Sequence, residues 1–193
     1  MQFKIDKKDV FIIVDVQRDF CPEGALPVPD GDKVVPILNE YIKRFQKAGS
    51  PIYATRDWHP PNHTSFKPYG GIWPAHCIQN SEGAAFHPDL MLPEDVRIVS
   101  KATNPSKEAY SGFDSLQFKE ELEQKSIKRI FVGGLATDYC VKSTVLDALK
   151  FGFETILLVD AIRGVNVKPR DSEKAIEEMI RKGVLTATLT NVQ

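Results

Sequence analysis

Five short runs of apolar, mostly β-branched residues recur along the chain, separated by stretches long enough to cross back over a sheet. They are Phe11-Ile12-Ile13-Val14, Pro51-Ile52-Tyr53-Ala54-Thr55, Val96-Arg97-Ile98-Val99, Arg129-Ile130-Phe131-Val132 and Thr155-Ile156-Leu157-Leu158-Val159. Runs this short, apolar on both alternating faces, read as strands buried on two sides. Val184 to Leu189 is a weaker sixth candidate. Most of the intervening segments carry helical period. Asp32 opens a stretch with Val34, Leu38, Tyr41, Ile42 and Phe45 on one face, stopped by Gly49. Asp114 is placed to cap a helix burying Leu116 and Leu122, and a helix near Tyr139–Phe151 ends at Gly152. A last one begins near Asp171, carries Ala175, Ile176, Met179 and Ile180 at helical spacing, and stops at Gly183. Strand–helix alternation of this kind predicts a three-layer, doubly wound α/β fold, with a six-stranded, mainly parallel sheet covered by helices on both faces.

With 193 residues the chain is one domain, 1–193, with a substantial core. A formal net charge of -1 leaves no basic footprint for nucleic acid and no polybasic patch for a membrane. The longest apolar runs are too short to span a bilayer, and the N-terminal residues lack a secretory h-region. Cys21, Cys77 and Cys140 are an odd number at wide spacing, which fits reduced thiols in the cytoplasm rather than a disulfide framework.

One connection breaks the rhythm. From about Trp58 to Pro93 the chain is rich in Pro, Gly, His and Asn and has no strong period. Structureless connections longer than ~15 residues are uncommon in compact domains and are usually functional. The strand exits point the same way, because ligands of open α/β sheets bind beyond the carboxyl ends of the strands. Asp15 closes the first strand, Asp57 follows the second, Lys101 follows the third, and Cys140 lies just past the fourth. Any one of these alone is more often a strand end meeting solvent; four at one edge form a candidate site.

Cys140 follows the glycine-bearing turn Gly133-Gly134-Leu135-Ala136-Thr137-Asp138-Tyr139. A cysteine in a helix's first turn lies among free N–H groups, which favour the thiolate and can form an oxyanion hole. Asp15, after four apolar residues, should have a raised pKa unless a cation pairs with it, and Lys101 is the candidate partner. Such a cluster lets Asp15 take a thiol proton and return it to a leaving amine. Cys21 and Cys77 read as buried, inert thiols. In Asp57-Trp58-His59 an extended backbone projects the carboxylate and the imidazole to one side. His63 and His76 add further imidazoles from the same connection, a set suited to Zn²⁺, Mn²⁺ or Fe²⁺, whereas His87 reads as a loop residue outside it.

These residues fall in motifs that occur together. In order they are Val14-Asp15-Val16-Gln17-Arg18-Asp19-Phe20, Arg56-Asp57-Trp58-His59-Pro60 through His63-Thr64-Ser65-Phe66, and Trp73-Pro74-Ala75-His76-Cys77. Ser100-Lys101-Ala102, Ala109-Tyr110-Ser111-Gly112-Phe113 and Gly134-Leu135-Ala136-Thr137-Asp138-Tyr139-Cys140-Val141 complete them. Over nearly its whole length the chain resembles the nicotinamidases of the isochorismatase-like cysteine hydrolase superfamily. The resemblance implies a Rossmann-like domain with a catalytic triad of Asp15, Lys101 and Cys140. It implies a divalent metal, zinc first, on Asp57, His59 and His76, with His63 a further ligand in some members. Backbone N–H groups of Ala136 and Cys140 would form the oxyanion hole, beside a cis peptide at Leu135–Ala136. Phe20, Trp73 and Tyr110, with Leu26 beside them, would wall the pyridine ring; Tyr139 is a variable pocket position. The implied reaction is hydrolysis of nicotinamide to nicotinic acid and ammonia through a Cys140 thioester, in salvage toward NAD, with pyrazinamide a further substrate. Relatives acting on other small amides, or an inactive binding module on the same fold, are the alternatives. Assembly into homo-oligomers is left open.

Overall fold

The computed structural model describes residues 1–193. Six strands form one sheet: β1 (Asp9–Val14), β2 (Ile52–Asp57), β3 (Arg97–Lys101), β4 (Arg129–Leu135), β5 (Glu154–Arg163) and β6 (Leu185–Ala187). Their order is β3-β2-β1-β4-β5-β6, and every pairing is parallel. Four helices connect them: α1 (Val34–Ala48), α2 (Leu116–Gln124), α3 (Lys142–Lys150) and α4 (Asp171–Arg181). No helix is long and apolar enough to cross a membrane.

The period of two seen in the runs divides the core into two layers. Phe11 and Ile13 of β1, Phe131 of β4, and Ile156 and Leu158 of β5 face α1, which lays Val34, Leu38, Tyr41, Ile42 and Phe45 on that side. Val10, Ile12, Val14, Ile130, Val132 and Leu157 face the opposite layer, where Phe118 and Leu122 of α2, Val145 and Ala148 of α3, and Met179 of α4 cover them. Each of these large side chains contributes about 1.5–3 kcal/mol on burial. Gly49, left-handed at φ 69°, ends α1 by turning its N–H back to Phe45 and Gln46 carbonyls.

Four expectations are corrected. Val96–Val99 does not form a buried strand: β3 is the edge of the sheet, paired only to β2, and Arg97, Ile98 and Ser100 are exposed. Leu116 is 62% exposed, and Phe118 joins Leu122 instead. Residues four apart share a helix face, so Phe118 and Leu122 point together while Leu116, two before Phe118, points away. Asp114 does not cap that helix; Ser115 occupies the cap position, and Asp114 pairs with Lys107 at 2.7 Å. In α4, Ala175 and Met179 are buried, but Ile180 is 48% exposed.

The strand order reverses between β1 and β4, and the connections that follow them lead to helices on opposite faces of the sheet. Asp15 takes φ 49°, which turns the backbone out of the ladder after its N–H has bonded Thr55 O at 3.1 Å. Opposite it, Gly134 has φ 120°, and a Cβ built there would lie 2.1 Å from Val14 O. Only glycine permits β4 to pass this close to β1. Gly134→Ala is expected to lower unfolding free energy by about 3 kcal/mol or more, from combined strain and overpacking. Urea denaturation checks this, and a loss below about 1 kcal/mol would show that the close approach is not needed.

Candidate active site

Strands β1, β2 and β3 deliver Asp15, Asp57 and Lys101 to one point beneath the carboxyl edge, and all three residues are buried. Lys101 Nζ lies 2.9 Å from Asp15 Oδ2 and hydrogen bonds Asp57 Oδ1. It also reaches Cys140 Sγ at 3.3 Å and Ala109 O at 3.5 Å. Thr55 Oγ1 donates to Asp15 Oδ1 at 2.7 Å, whereas Asp15 Oδ2 receives no aligned donor. The four strand-exit groups therefore do converge.

Burial acts on each of these groups, and the local charges decide the outcome. Burial would lower the Lys101 ammonium, but Asp15 and Asp57 outweigh it and hold it well above the ordinary lysine value. Burial would raise Asp57, and chiefly the Lys101 charge holds it below the carboxylate range. For Asp15 burial wins over Lys101, and its pKa is raised. Burial also raises the Cys140 thiol well above its usual value, against the opposing pull of Lys101. The burial that raises Cys140 opposes the pull toward thiolate expected of a helix start, and Asp15, itself raised, is at hand to accept the thiol proton.

Cys140 lies in a π-helical turn, Thr137–Val141, that leads into α3. The Leu135–Ala136 peptide is cis. Ala136 O accepts from both Tyr139 N–H and Val141 N–H at 3.1 Å, while Ala136 N–H makes no hydrogen bond within the protein. Ala136 and Cys140 both line a small cleft whose other walls are largely apolar and aromatic.

The long connection closes one side of that cleft. It is ordered without regular strands, through bridges such as His59 with Ile78 and Phe66 with Trp73. His59, His63 and His76 are buried, and Asp57, His59 and His76 bring ligand atoms within 4.8 Å of one another. Their tautomers follow from their partners. His59 Nδ1 faces His76 O at 3.1 Å, and His76 Nδ1 faces Pro74 O at 2.8 Å. Carbonyls only accept, so both Nδ1 atoms carry the proton and both Nε2 lone pairs are free. Burial lowers His59 to about 4, keeping it neutral. One carboxylate and two imidazoles fit a divalent ion of the zinc type.

His63 is placed beside His59, with ring centroids 4.5 Å apart, but its nitrogens are engaged. Ser65 N–H donates to Nδ1 at 3.2 Å, and Nε2 faces Lys107 O at 3.1 Å, which requires the opposite tautomer. His87 lies outside the cluster, in a groove with Pro88. Phe20, Leu26, Trp73, Tyr110 and Tyr139 all line the cleft. Trp73 Nε1 donates to Tyr110 Oη at 3.1 Å, Tyr139 packs edge-on to Trp73 at 5.1 Å, and Phe20 packs against His76 at 5.5 Å. Ser65, Glu108 and Val165 also line it and were not anticipated. Ser65 and Glu108 stand within motifs or beside them, whereas Val165 is tied to the site by Asp138, which accepts its N–H at 2.9 Å, a contact with no local signature.

The isochorismatase domain family matches residues 9–191. A nicotinamidase of Escherichia coli is 40% identical, covering 93% of this chain and 94% of its own. The crystal structure of a Pyrococcus horikoshii pyrazinamidase in complex with zinc is 53% identical, with a TM-score of 0.90, covering 94% of this chain and 99% of that one. The PnC1 structure from L. infantum in complex with nicotinate is 33% identical, with a TM-score of 0.92 and coverage of 99% and 98%. Strand order, site position and these matches agree, and the chain belongs to the isochorismatase family.

Proposed function

We propose that this protein is a nicotinamidase, an amidohydrolase converting nicotinamide to nicotinic acid and ammonia. One observation carries the reading: Cys140, backed by Asp15 and Lys101, opens into the same small aromatic cleft as the Asp57–His59–His76 donor set. Relatives that share this architecture are named for nicotinamide or pyrazinamide hydrolysis, and one holds zinc.

Asp57, His59 and His76 would hold the ion. When bound, it supplies a Lewis acid for the pyridine nitrogen, fixing the ring's orientation. Trp73, Tyr110, Phe20 and Leu26 sandwich the ring, and Tyr139 covers its outer side. Asp15 Oδ2 takes the thiol proton of Cys140, and Sγ attacks the carboxamide carbon. The oxygen that becomes negative is met by Ala136 N–H and by the N–H of Cys140. Asp15 then gives the proton to the departing ammonia, and Lys101 keeps Asp15 correctly placed and offsets its charge. Water attacks the thioester, with Asp15 as base, to release the acid. Three buried, unpaired thiols suit the reducing cytoplasm.

Purified, reduced, zinc-loaded protein is expected to release ammonia from nicotinamide, and from pyrazinamide at a rate within about tenfold. Cys140→Ala should lower kcat by about 10⁴-fold or more, since loss of a nucleophile disables the whole cluster. No release by the wild type under these conditions would remove nicotinamide as substrate.

The tautomers generate a separate expectation. His76→Ala should weaken zinc binding by about 100-fold or more, whereas His63→Ala should retain it within about tenfold. Calorimetric zinc titration of the two variants distinguishes a three-residue set from one that includes His63.

A further inference from the structure

Where β1 turns away at Asp15, the backbone of Asp57 at the end of β2 keeps its pairing with Lys101 of β3 but loses its neighbour on the β1 side. The chain after Asp15 pairs instead with the long connection: Arg18 N–H bonds Ala85 O at 2.9 Å, and His87 N–H bonds Val16 O at 2.9 Å. That leaves a buried N–H and C=O on the residue whose carboxylate joins Lys101 to the imidazoles. Gln17, itself fully buried, fills the gap with its side chain. Asp57 N–H donates to Gln17 Oε1 at 2.8 Å, and Gln17 Nε2 donates to Asp57 O at 2.8 Å. The second N–H of the same amide goes to Ala84 O at 2.9 Å. The orientation of the amide follows from its partners, because an N–H can only donate and two carbonyls can only accept.

We infer that Gln17 is a positioning residue for the metal set: its primary amide continues the β1–β2 ladder past the turn and fixes Asp57 before any ion arrives. A primary amide presents an acceptor and two donors spaced to meet a peptide unit and a further carbonyl; a carboxyl group has at most one donor and a thioether none, so neither Glu nor Met reproduces all three bonds. The third bond ties the same point to the long connection that carries His59 and His76. The inference rests on the metal-dependent amidase reading of the site, and its tests are chosen to fail separately from it.

Gln17→Met removes all three hydrogen bonds. Gln17→Glu keeps an acceptor for Asp57 N–H but turns an oxygen toward two carbonyls. Zinc affinity, measured by competition with a chromophoric chelator on protein verified as folded by circular dichroism, is expected to fall 10–100-fold in both. A purely structural role would lower the melting temperature and leave the affinity of the folded variants unchanged, which would overturn the inference. In metal-free wild type, hydrogen exchange at the Asp57 amide is expected to be as slow as at the neighbouring β2 amides. Exchange at the rate of an unstructured peptide would overturn the inference even if both variants fail to fold. A protected Asp57 in a wild type that releases no ammonia would support Gln17's role while removing the nicotinamidase reading.

Discussion

Lys101 is only 3% exposed, and its ammonium lies between the carboxylates of Asp15 and Asp57. Desolvating an ammonium costs several kcal/mol, so this lysine stays charged only because two anions flank it. The dependence is mutual. Without Lys101, two carboxylates would face each other at the ends of adjacent strands, and removing one partner from such a buried group costs about 3–5 kcal/mol. The ammonium also makes one unit of what would otherwise be two half-sites. Asp15 belongs to Cys140, Asp57 belongs to the imidazoles, and the same Nζ touches both. Any change in charge on one side is therefore felt on the other within a few ångströms of low-dielectric interior.

The fold supplies the place for that charge cluster. Parallel strands all end at one edge, so four side chains far apart in sequence emerge together. At the reversal of strand order, the crossovers on either side lead away and leave a crevice. What the sheet cannot supply is satisfaction of its own last peptide groups. Side chains take over there: Gln17 serves Asp57, and Asp19 accepts Cys77 N–H at 2.7 Å and Ala25 N–H at 3.1 Å. Asp138 accepts the N–H groups of Val165 and Asn166. Each of these polar side chains stands where a strand or turn ends and a wall of the cleft begins.

This division explains what could be read from the amino acids and what could not. Buried strands and the face of α1 follow from local period, and Asp15, Asp57, Lys101 and Cys140 follow from their position after those strands. The exposure of β3 does not, because an edge strand and a central one can have the same apolar content when only one flank is covered. The direction in which the Cys140 thiol is pushed is hidden for a related reason. A helix start is visible in sequence, but the burial that opposes its effect is a property of the assembled site. His63 shows the same limit. Its spacing from His59 is as good for a ligand as that of His76, and the partners that engage its nitrogens, Ser65 N–H on Nδ1 and the carbonyl of Lys107, 44 residues away, on Nε2, are set by the fold.

The histidine tautomers carry the argument from scaffold to chemistry. His59 and His76 are oriented by backbone carbonyls, one of them belonging to His76 itself, so the connection that bears the imidazoles also aims them. No exposed side chain has to move to present either Nε2 atom, which removes an ordering cost that would otherwise weaken ligand binding. The opposite wall is held as firmly, by Trp73 Nε1 on Tyr110 Oη and by Tyr139 against both rings. A planar ring entering between these walls has little freedom to rotate, and the carbon it presents to Cys140 Sγ is set by which ring atom faces the imidazoles.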